Sequence, residues 1–478
     1  MPRMRALVAI AVVCCAARAH EWPFGGNRDL YNLGLLGGKA SDAAAPPPAT
    51  EAPTGGRRSF SIDRPANDDG PERLRVELLF PEGPLERAGV VPGDEIVGVA
   101  GAGFAKGSLA ALAKALGNGK VTLLVRPAAG GATRKVKVQV PGAGATHREI
   151  ATAALDWLAG RQQEDGGFAE ALSGKNGAVV ATSIAGLAWL GSGAHGDNVR
   201  KAADFVIAAV KDLDAEAAMG PSGGANWSQV NWGLAHAAIF LGELHARTPE
   251  RGVAAALHGI ASALVRNQEK SGGWAHGPGG PNALGYVELN IVTGLSLMGL
   301  GLAQQSGYEI PADTLARAEA YLQESGGGDG GVGYSTNAGQ KGQGNIGRTA
   351  ASWLGYLALG KKRDPWCAKM GNYVRRNADK VLDGHASLMQ HILLAGVAAE
   401  AQGGDARKTY WATMERDLVL ARAPDGSLQP RPWAESLSMG SNSDVGFGQV
   451  WTTAAWAMVL VSERGKTGFP GFPALTGG

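Results

Sequence analysis

The segment Gln162-Gln-Glu-Asp-Gly-Gly-Phe168 indicates a repeated architecture, because it recurs as Gln268-Glu-Lys-Ser-Gly-Gly-Trp274 and, more loosely, at four further places. In such a turn glycine permits the positive φ that ends a helix, aspartate supports the tight turn, and the aromatic ring packs between helices. The six turns lie about 42 to 58 residues apart, a period that predicts a repeat architecture. The turns are Asp165-Gly-Gly-Phe168, Gly223-Gly-Ala-Asn-Trp227, Gly272-Gly-Trp274, Asp329-Gly-Gly-Val-Gly-Tyr334, Asp383-Gly-His385 and Asp425-Gly-Ser-Leu428.

The segments before the turns are amphipathic. In one of them Leu315, Ala318 and Leu322 share a stripe, whereas Arg317 and Glu319 point away from it. Helices of this kind suit an outer ring that faces water. The predicted outer helices are Arg148–Gln162, Val199–Asp212, Ala254–Gln268, Ala312–Glu324, Pro365–Asp379 and Lys408–Leu420.

The segments after the turns carry few charges, and helices that are apolar all round are buried. Their many glycines each cost about 1 kcal/mol of helix propensity, which close packing in a crowded inner ring would justify. The predicted inner helices are Ala178–Leu190, Ser228–Leu244, Glu288–Leu302, Gly347–Leu359, Ser387–Ala399 and Gly448–Val461. Six outer and six inner helices in alternation predict a mainly α chain with an (α/α)6 toroid over residues 146–470. An open solenoid is the alternative.

Residues 57–141 have a different character and predict a small β-domain. Leu74–Phe80, Lys120–Arg126 and Arg134–Val140 are predicted strands, and Leu109–Leu116 is a predicted short helix.

The segment Gly83-Pro-Leu-Glu-Arg-Ala-Gly-Val-Val-Pro-Gly-Asp-Glu-Ile-Val-Gly-Val-Ala-Gly101 resembles the PDZ domains of periplasmic trypsin-like proteases. Gly93, Asp94 and Ile96 match the pattern of that family, and Ala100 stands where asparagine is usual. The resemblance implies a peptide or protein C-terminus as partner, added as a strand before or at Leu74–Phe80. Pro71-Glu-Arg-Leu74 replaces the usual carboxylate-binding loop, so a purely structural role for this domain is the alternative.

The N-terminal residues predict export. Residues 1–19 have a short basic start, an apolar run of eleven residues and a small-residue cleavage site at Ala17-Arg18-Ala19, which is typical of a signal peptide. The run is shorter than the roughly 20 residues of a membrane span, and no later stretch reaches that length. Residues 20–56 are rich in Ala, Pro and Gly and are predicted to be a linker. We expect a secreted or periplasmic protein without a membrane span.

Charge and cysteine content narrow the function further. Lys and Arg number 45 against 43 Asp and Glu, a net charge of +2 that gives no indication of nucleic-acid binding. After removal of residues 1–19 the only cysteine is Cys367, which therefore has no internal disulfide partner. It is predicted to be a small buried apolar residue.

The repeated turn also resembles that of squalene–hopene cyclases and of protein prenyltransferase β subunits, which implies their shared α/α toroid. The acid motif Asp-x-Asp-Asp of the cyclases is absent, and Asp68-Asp69 lies before the PDZ-like segment. The prenyltransferase zinc site does not carry over either, because Pro365 stands two residues before Cys367 where that site has aspartate. We expect neither chemistry, and no cofactor. A PDZ-like domain joined to a toroid also resembles a group of exported bacterial proteins.

Chemistry in a toroid is expected at the mouth, where the inner helices begin. Glu288 and Asp444 are the carboxylates best placed there for a glycoside hydrolase, which needs two. A polysaccharide lyase needs a base and a group that neutralises the uronate, and Asn231, His236, Tyr286 and Arg348 are the candidates. Further ligand-binding candidates are Asn345, His385, His391, Trp227 and Trp451, with Asn231 serving here too.

No metal site is expected from the histidines. His385 and His391 are six residues apart, so a regular helix directs them to different sides. The alternative for all these polar residues is that they satisfy the buried ends of the inner helices.

Two functions follow. The first is a secreted ligand-binding or scaffold protein, in which the PDZ-like domain engages a peptide and the toroid cavity binds a glycan or another small ligand. The second is a secreted glycoside hydrolase or lyase with its site in that cavity. A deep cavity with converging carboxylates favours the enzyme, and a cavity filled by side chains favours the scaffold.

Overall fold

A computed structural model describes residues 30–43, 70–104, 107–168, 174–218, 229–278, 287–384, 387–431, 443–463 and 468–477. The predicted signal peptide lies outside these residues. The described chain is an antiparallel sheet domain followed by an (α/α)6 toroid, so the predicted fold class is confirmed. Among the described helices, none combines the length and the apolar character needed to cross a membrane.

The sheet domain contains seven strands and two helices within the described residues. They are β1 Tyr31–Asn32, β2 Gly38–Asp42, β3 Leu74–Leu79, α1 Pro84–Arg87, β4 Glu95–Val99, β5 Ala102–Gly103, α2 Ser108–Leu116, β6 Lys120–Arg126 and β7 Arg134–Gln139. The strand order is β1-β2-β3-β4-β6-β7, every pairing is antiparallel, and β5 pairs with β4.

The prediction of a linker over residues 20–56 is wrong for residues 30–43. β1 and β2 belong to the sheet because the short apolar segment around them has a core to fill, and Leu33 and Leu36 are completely buried. β2 pairs with β3, whose other edge pairs with β4. β2 therefore covers one edge of the strand predicted to receive a peptide, and β4 covers the first residues of its other edge.

The toroid alternates outer and inner helices as predicted. Its outer helices are α3 His147–Ala159, α5 Gly196–Ala218, α7 Arg251–Arg266, α9 Ala312–Ser325, α11 Pro365–Arg376 and α13 Gly404–Ala421. Its inner helices are α4 Gly174–Ser192, α6 Val230–Arg247, α8 Asn290–Gln305, α10 Ile346–Ala358, α12 Leu388–Gln402 and α14 Ser443–Val461, the last broken at Gly448. A short final helix, α15, spans Pro473–Thr476.

The inner ring is closed. Each inner helix packs against the next from α4 to α14, and α14 packs against α4. The open solenoid is thereby excluded. Small residues allow the close approach that the sequence predicted: a Cβ atom on Gly294 would lie 2.7 Å from the backbone carbon of Ala351, and one on Gly301 would lie 2.6 Å from that of Ala358.

The turns repeat one set of contacts. In the third repeat Gly272 has a φ of 101° and packs against the carbonyl group of Arg317 on the next outer helix. The last turn makes the same contact with the first outer helix, where Gly426 faces Ala153. Trp157 adds a hydrogen bond of 3.0 Å from its Nε1 to a carboxylate oxygen of Asp425. The turn therefore joins neighbouring repeats and also closes the ring.

The sheet domain is docked on the toroid. Leu420 of α13 lies in the core of the sheet domain, against which Val419 also packs. The Asn32 side chain donates to the carbonyl oxygen of Pro430 at 3.0 Å and accepts a 2.8 Å hydrogen bond from Lys39. Burial lowers the pKa of Lys39 to about 7.

Candidate functional site at the mouth of the toroid

The axis of the toroid is filled rather than open. The cavity there measures only about 20 Å³, and every inner helix contributes a side chain to its wall. That volume is room for about one water molecule. Leu475 of α15 also lines it. His236 and Gln390 are its polar lining residues, and Gln390 lies in the first turn of α12, at the end where the inner helices begin.

His236 is held as a neutral imidazole with one nitrogen directed. Its Nδ1 lies 2.9 Å from the backbone oxygen of Trp232, which can only accept, so Nδ1 carries the proton. Burial lowers the pKa of His236 to about 4, against the opposing effects of Trp232 and of the nearby Gln390 side chain. The geometry completes no hydrogen bond at Nε2 within the described residues. Nε2 is thus a buried acceptor at the cavity wall.

Aromatic rings enclose His236 on two sides. Trp232 stacks on it with centroids 6.3 Å apart and an interplanar angle of 15°, and Trp451 meets it edge-on at 6.5 Å. The Trp232 Nε1 donates to Nδ1 of His276 at 2.8 Å. Burial lowers the pKa of His276 to about 4, which keeps its ring neutral and able to accept. The rings fix the position of the imidazole and exclude water from it.

Asp444 holds the wall of this site together. Its carboxylate accepts hydrogen bonds from the Ser387 hydroxyl at 2.6 Å, the Met389 backbone amide at 2.9 Å and the Trp451 indole at 3.1 Å. Burial raises the pKa of Asp444, and these donors oppose the rise. Asp444 therefore caps the start of α12 and orients Trp451, which stands between the carboxylate and His236.

Glu288 occupies a different place. Its Oε1 accepts a 2.9 Å hydrogen bond from Ser271 in the third turn, and its backbone oxygen accepts one of 2.8 Å from Tyr321 on α9. Glu288 is therefore held by the third turn and α9, whereas Asp444 is held at the start of α12.

Arg348 is a buried cation in the first turn of α10. Its guanidinium group lies over the Tyr334 ring at 5.4 Å and reaches the Gln343 backbone oxygen only at 3.5 Å, while its Nε has no partner. Burial lowers its pKa to about 10, so it stays protonated at neutral pH. No described carboxylate pairs with it. Arg348 and His236 lie on α10 and α6, which α8 separates.

The asparagines at the helix starts bind backbone. The side-chain amide of Asn231 donates to the Ala275 oxygen, and that of Asn345 donates to the Asp383 oxygen, each at 2.9 Å. Asn345 also caps α10 through its Oδ1. Asn290, at the same place on α8, repeats the contact on Gly333. These bonds tie α6, α8 and α10 to the turns that follow them, as expected if the asparagines satisfy the buried helix ends.

The remaining candidates are His391 and three residues outside the described part of the chain. His391 is buried on α12, against Gly347 and Gly384. Trp227, Tyr286 and His385 lie outside the described residues. In the part of the chain that is described, no three His, Cys, Asp or Glu side chains are grouped so that they could hold a metal ion.

Gln390 and His276 were missed by the sequence prediction. Gln390 lies in the first turn of α12, three residues after the cap residue Ser387, in what is an ordinary helix start. His276 follows the third turn, in a segment without periodicity. Neither position carries a local signal of its place in this site.

Sequence comparison places the toroid in a family. A family model described as "Domain of unknown function (DUF6288)" matches residues 148–461, about two thirds of the chain. The chain belongs to this family. Among curated proteins none matches it.

Three solved structures with a similar helical fold are two unsaturated glucuronyl hydrolases and a mannanase. An unsaturated glucuronyl hydrolase from Bacillus sp. GL1, responsible for the degradation of glycosaminoglycan, has 13% identity and a TM-score of 0.45, covering 68% of this chain and 99% of its own. The α-1,6-mannanase GH76A of Salegentibacter sp. HEL1_6 has 10% identity and a TM-score of 0.45, covering 66% and 99%. An unsaturated glucuronyl hydrolase specific for heparin has 12% identity and a TM-score of 0.45, covering 66% and 96%. None of these three is a squalene cyclase or a prenyltransferase.

Proposed function

We propose that this chain is a secreted polysaccharide-active protein that acts at the mouth of its toroid, with His236 as the base. The observation that carries the proposal is the state of His236: neutral, with Nδ1–H directed to the Trp232 oxygen and Nε2 left as an acceptor at the axial cavity. A general base needs an unprotonated acceptor atom and a group that holds it in one orientation.

The arrangement favours a lyase over a hydrolase. A glycoside hydrolase needs two carboxyl groups about 5–10 Å apart, and Asp444, one of the two candidates, is buried and already accepts hydrogen bonds from Ser387, Met389 and Trp451. One neutral base suffices for β-elimination from a uronate. Nε2 takes the proton from the carbon beside the carboxyl group, and the carbon–oxygen bond to the next sugar breaks. A carbon–carbon double bond forms, and the departing oxygen takes a proton from water.

The test is activity of the purified mature protein on neutral and uronate-containing polysaccharides, followed by ultraviolet absorbance of the new double bond and by reducing ends. His236→Gln is expected to lower the rate by roughly 100- to 10,000-fold, the usual contribution of a general base. His258→Gln is the matched control, since that histidine is on the outer helix α7 and bonds Ser306. Full activity of His236→Gln, or no product from any substrate, refutes the proposal.

The pH profile gives an independent readout. Because a base acts only when it is deprotonated and the pKa of His236 is about 4, kcat/KM should be lost below about pH 4 and level above it. A profile that instead falls near pH 6.5, the ordinary pKa of histidine, would contradict the assigned environment of this residue.

The filled axis favours a second candidate, a scaffold that binds a ligand without converting it. The axial cavity of about 20 Å³ is too small for a sugar, so the lyase requires the mouth to open toward His236 when the polymer binds, whereas a scaffold would hold its ligand on the closed mouth. Calorimetric binding of a polysaccharide with no product, unchanged by His236→Gln, would support this second function.

A further inference from the structure

The sheet domain carries an uneven distribution of charge. From Ile96 to Arg148 the sequence has no Asp or Glu but eight Lys and Arg, although the whole chain has a net charge of only +2. A single-sign surface of this kind attracts partners of the opposite charge.

The fold gathers four of these cations around one groove. Lys114 on α2, Lys120 at the start of β6, and Lys135 and Lys137 on β7 line an open depression of about 660 Å³. Antiparallel pairing of β6 and β7 places Lys137 opposite Thr122, which is also in the lining. The groove thus exists only because two strands and a helix meet.

These four lysines keep their charge available. None of them pairs with a carboxylate in the described residues, whereas the neighbouring Arg126 and Arg134 pair with Glu95 and Asp94 at 3.3 and 3.5 Å. The domain neutralises its arginines on one side and leaves the lysines of the groove unpaired.

The rest of the lining narrows the class of partner. It consists of small or aliphatic residues with Asn118 and Thr122, and it contains no aromatic ring on which a nucleic-acid base could stack. The described surface also lacks the large exposed apolar side chains that enter a membrane, apart from Val91. The lining therefore offers a partner charge rather than stacking or the insertion of apolar side chains.

We propose that this groove, which we call the lysine groove, binds an anionic polysaccharide through its carboxylate or sulfate groups. The lysine groove would hold the polymer while the toroid mouth acts on it. In naming an acidic polysaccharide as substrate the inference rests on the proposed function, but binding at the groove is measured without turnover.

The experiment measures binding of polygalacturonate oligomers to the full mature chain by calorimetry at two salt concentrations, with dextran oligomers as the neutral control. The double variant Lys135→Glu/Lys137→Glu is expected to weaken binding at least tenfold and to flatten its salt dependence, since ion release scales with the number of contacts. Lys201→Glu/Lys211→Glu on the outer helix α5 is the matched control, because it changes the net charge by the same amount at exposed sites outside the groove.

Each outcome decides. Loss in the groove variant with retention in the α5 variant supports the proposal. Equal loss in both, no loss, or equal binding of dextran overturns it. Tighter binding of a single-stranded oligonucleotide or of phosphatidylglycerol vesicles than of polygalacturonate overturns it in favour of those partners. His236→Gln should bind as the wild type does, and a wild-type protein that binds polygalacturonate but releases no product refutes the enzyme and not the groove.

Discussion

Replacing Gly272 by alanine tests the contact that joins the repeats. Gly272 has a φ of 101°, and a Cβ atom there would lie 2.5 Å from the carbonyl carbon of Arg317 and closer still to its oxygen. Arg317 in turn donates to the Glu269 oxygen of the same turn at 2.9 Å, so neither side is free to move. The substitution must displace backbone.

The expected loss in the free energy of unfolding has two parts. A positive φ costs an L-residue about 1–2 kcal/mol, and forcing an extra carbon into a packed site costs about 1–3 kcal/mol. Gly307 separates them, because its φ is 96° and nothing lies within 4 Å of its Cβ position. We expect Gly307→Ala to show the first part alone and Gly272→Ala to show both, about 2–5 kcal/mol in total.

The assay is equilibrium urea unfolding followed by far-ultraviolet circular dichroism. The midpoint should fall further for Gly272→Ala than for Gly307→Ala with an unchanged slope, which reports stability rather than compactness. Equal losses for the two variants would refute the reasoning, since they would show that φ alone matters and that the turn does not hold the next helix.

Two further predictions concern the seam of the ring and its axis. Burial lowers the pKa of His147, but hydrogen bonds to Glu415 and Glu463 outweigh this and raise it to about 9. Because the pKa is raised, protonated His147 stabilises the folded chain fully below pH 6.5, and this stabilisation is lost as the pH rises to 9. The urea midpoint should fall across that window by an amount that corresponds to about 1–3 kcal/mol. His147→Gln should remove this dependence of the midpoint on pH. Leu475→Ala should destabilise the toroid by about 2–5 kcal/mol in the same assay, because it enlarges the axial cavity, whereas the exposed Val91→Ala should stay within about 0.5 kcal/mol. A Leu475→Ala protein as stable as Val91→Ala would show that α15 does not close the axis.

The candidate site was predictable in part. That polar groups would gather at the starts of the inner helices followed from the pattern of turns and apolar helices, and His236, Asp444, Trp451 and Arg348 were among them. Their roles were not predictable, because a helix start needs hydrogen-bond partners whether or not it binds a ligand. Asn231 and Asn345 bind the following turn, while His236 lines the axial cavity beside Gln390, and no local pattern separates the two cases.

Local sequence is enough to predict the repeat, the alternation of outer and inner helices and the turns between them. Each of these depends on neighbouring residues: a glycine that ends a helix, a stripe of apolar side chains, an aspartate in a tight turn. Other features appear only when residues distant in the sequence meet in the folded chain. The segment Tyr31–Asp42, whose composition predicts a linker, lies on the edge of β3. In the folded chain α14 packs against α4, side chains fill the axis, and four lysines from α2, β6 and β7 line one groove. Long-range packing sets these features. Whether Leu33 is buried, or whether a lysine has a carboxylate partner, depends on residues that are distant in the sequence.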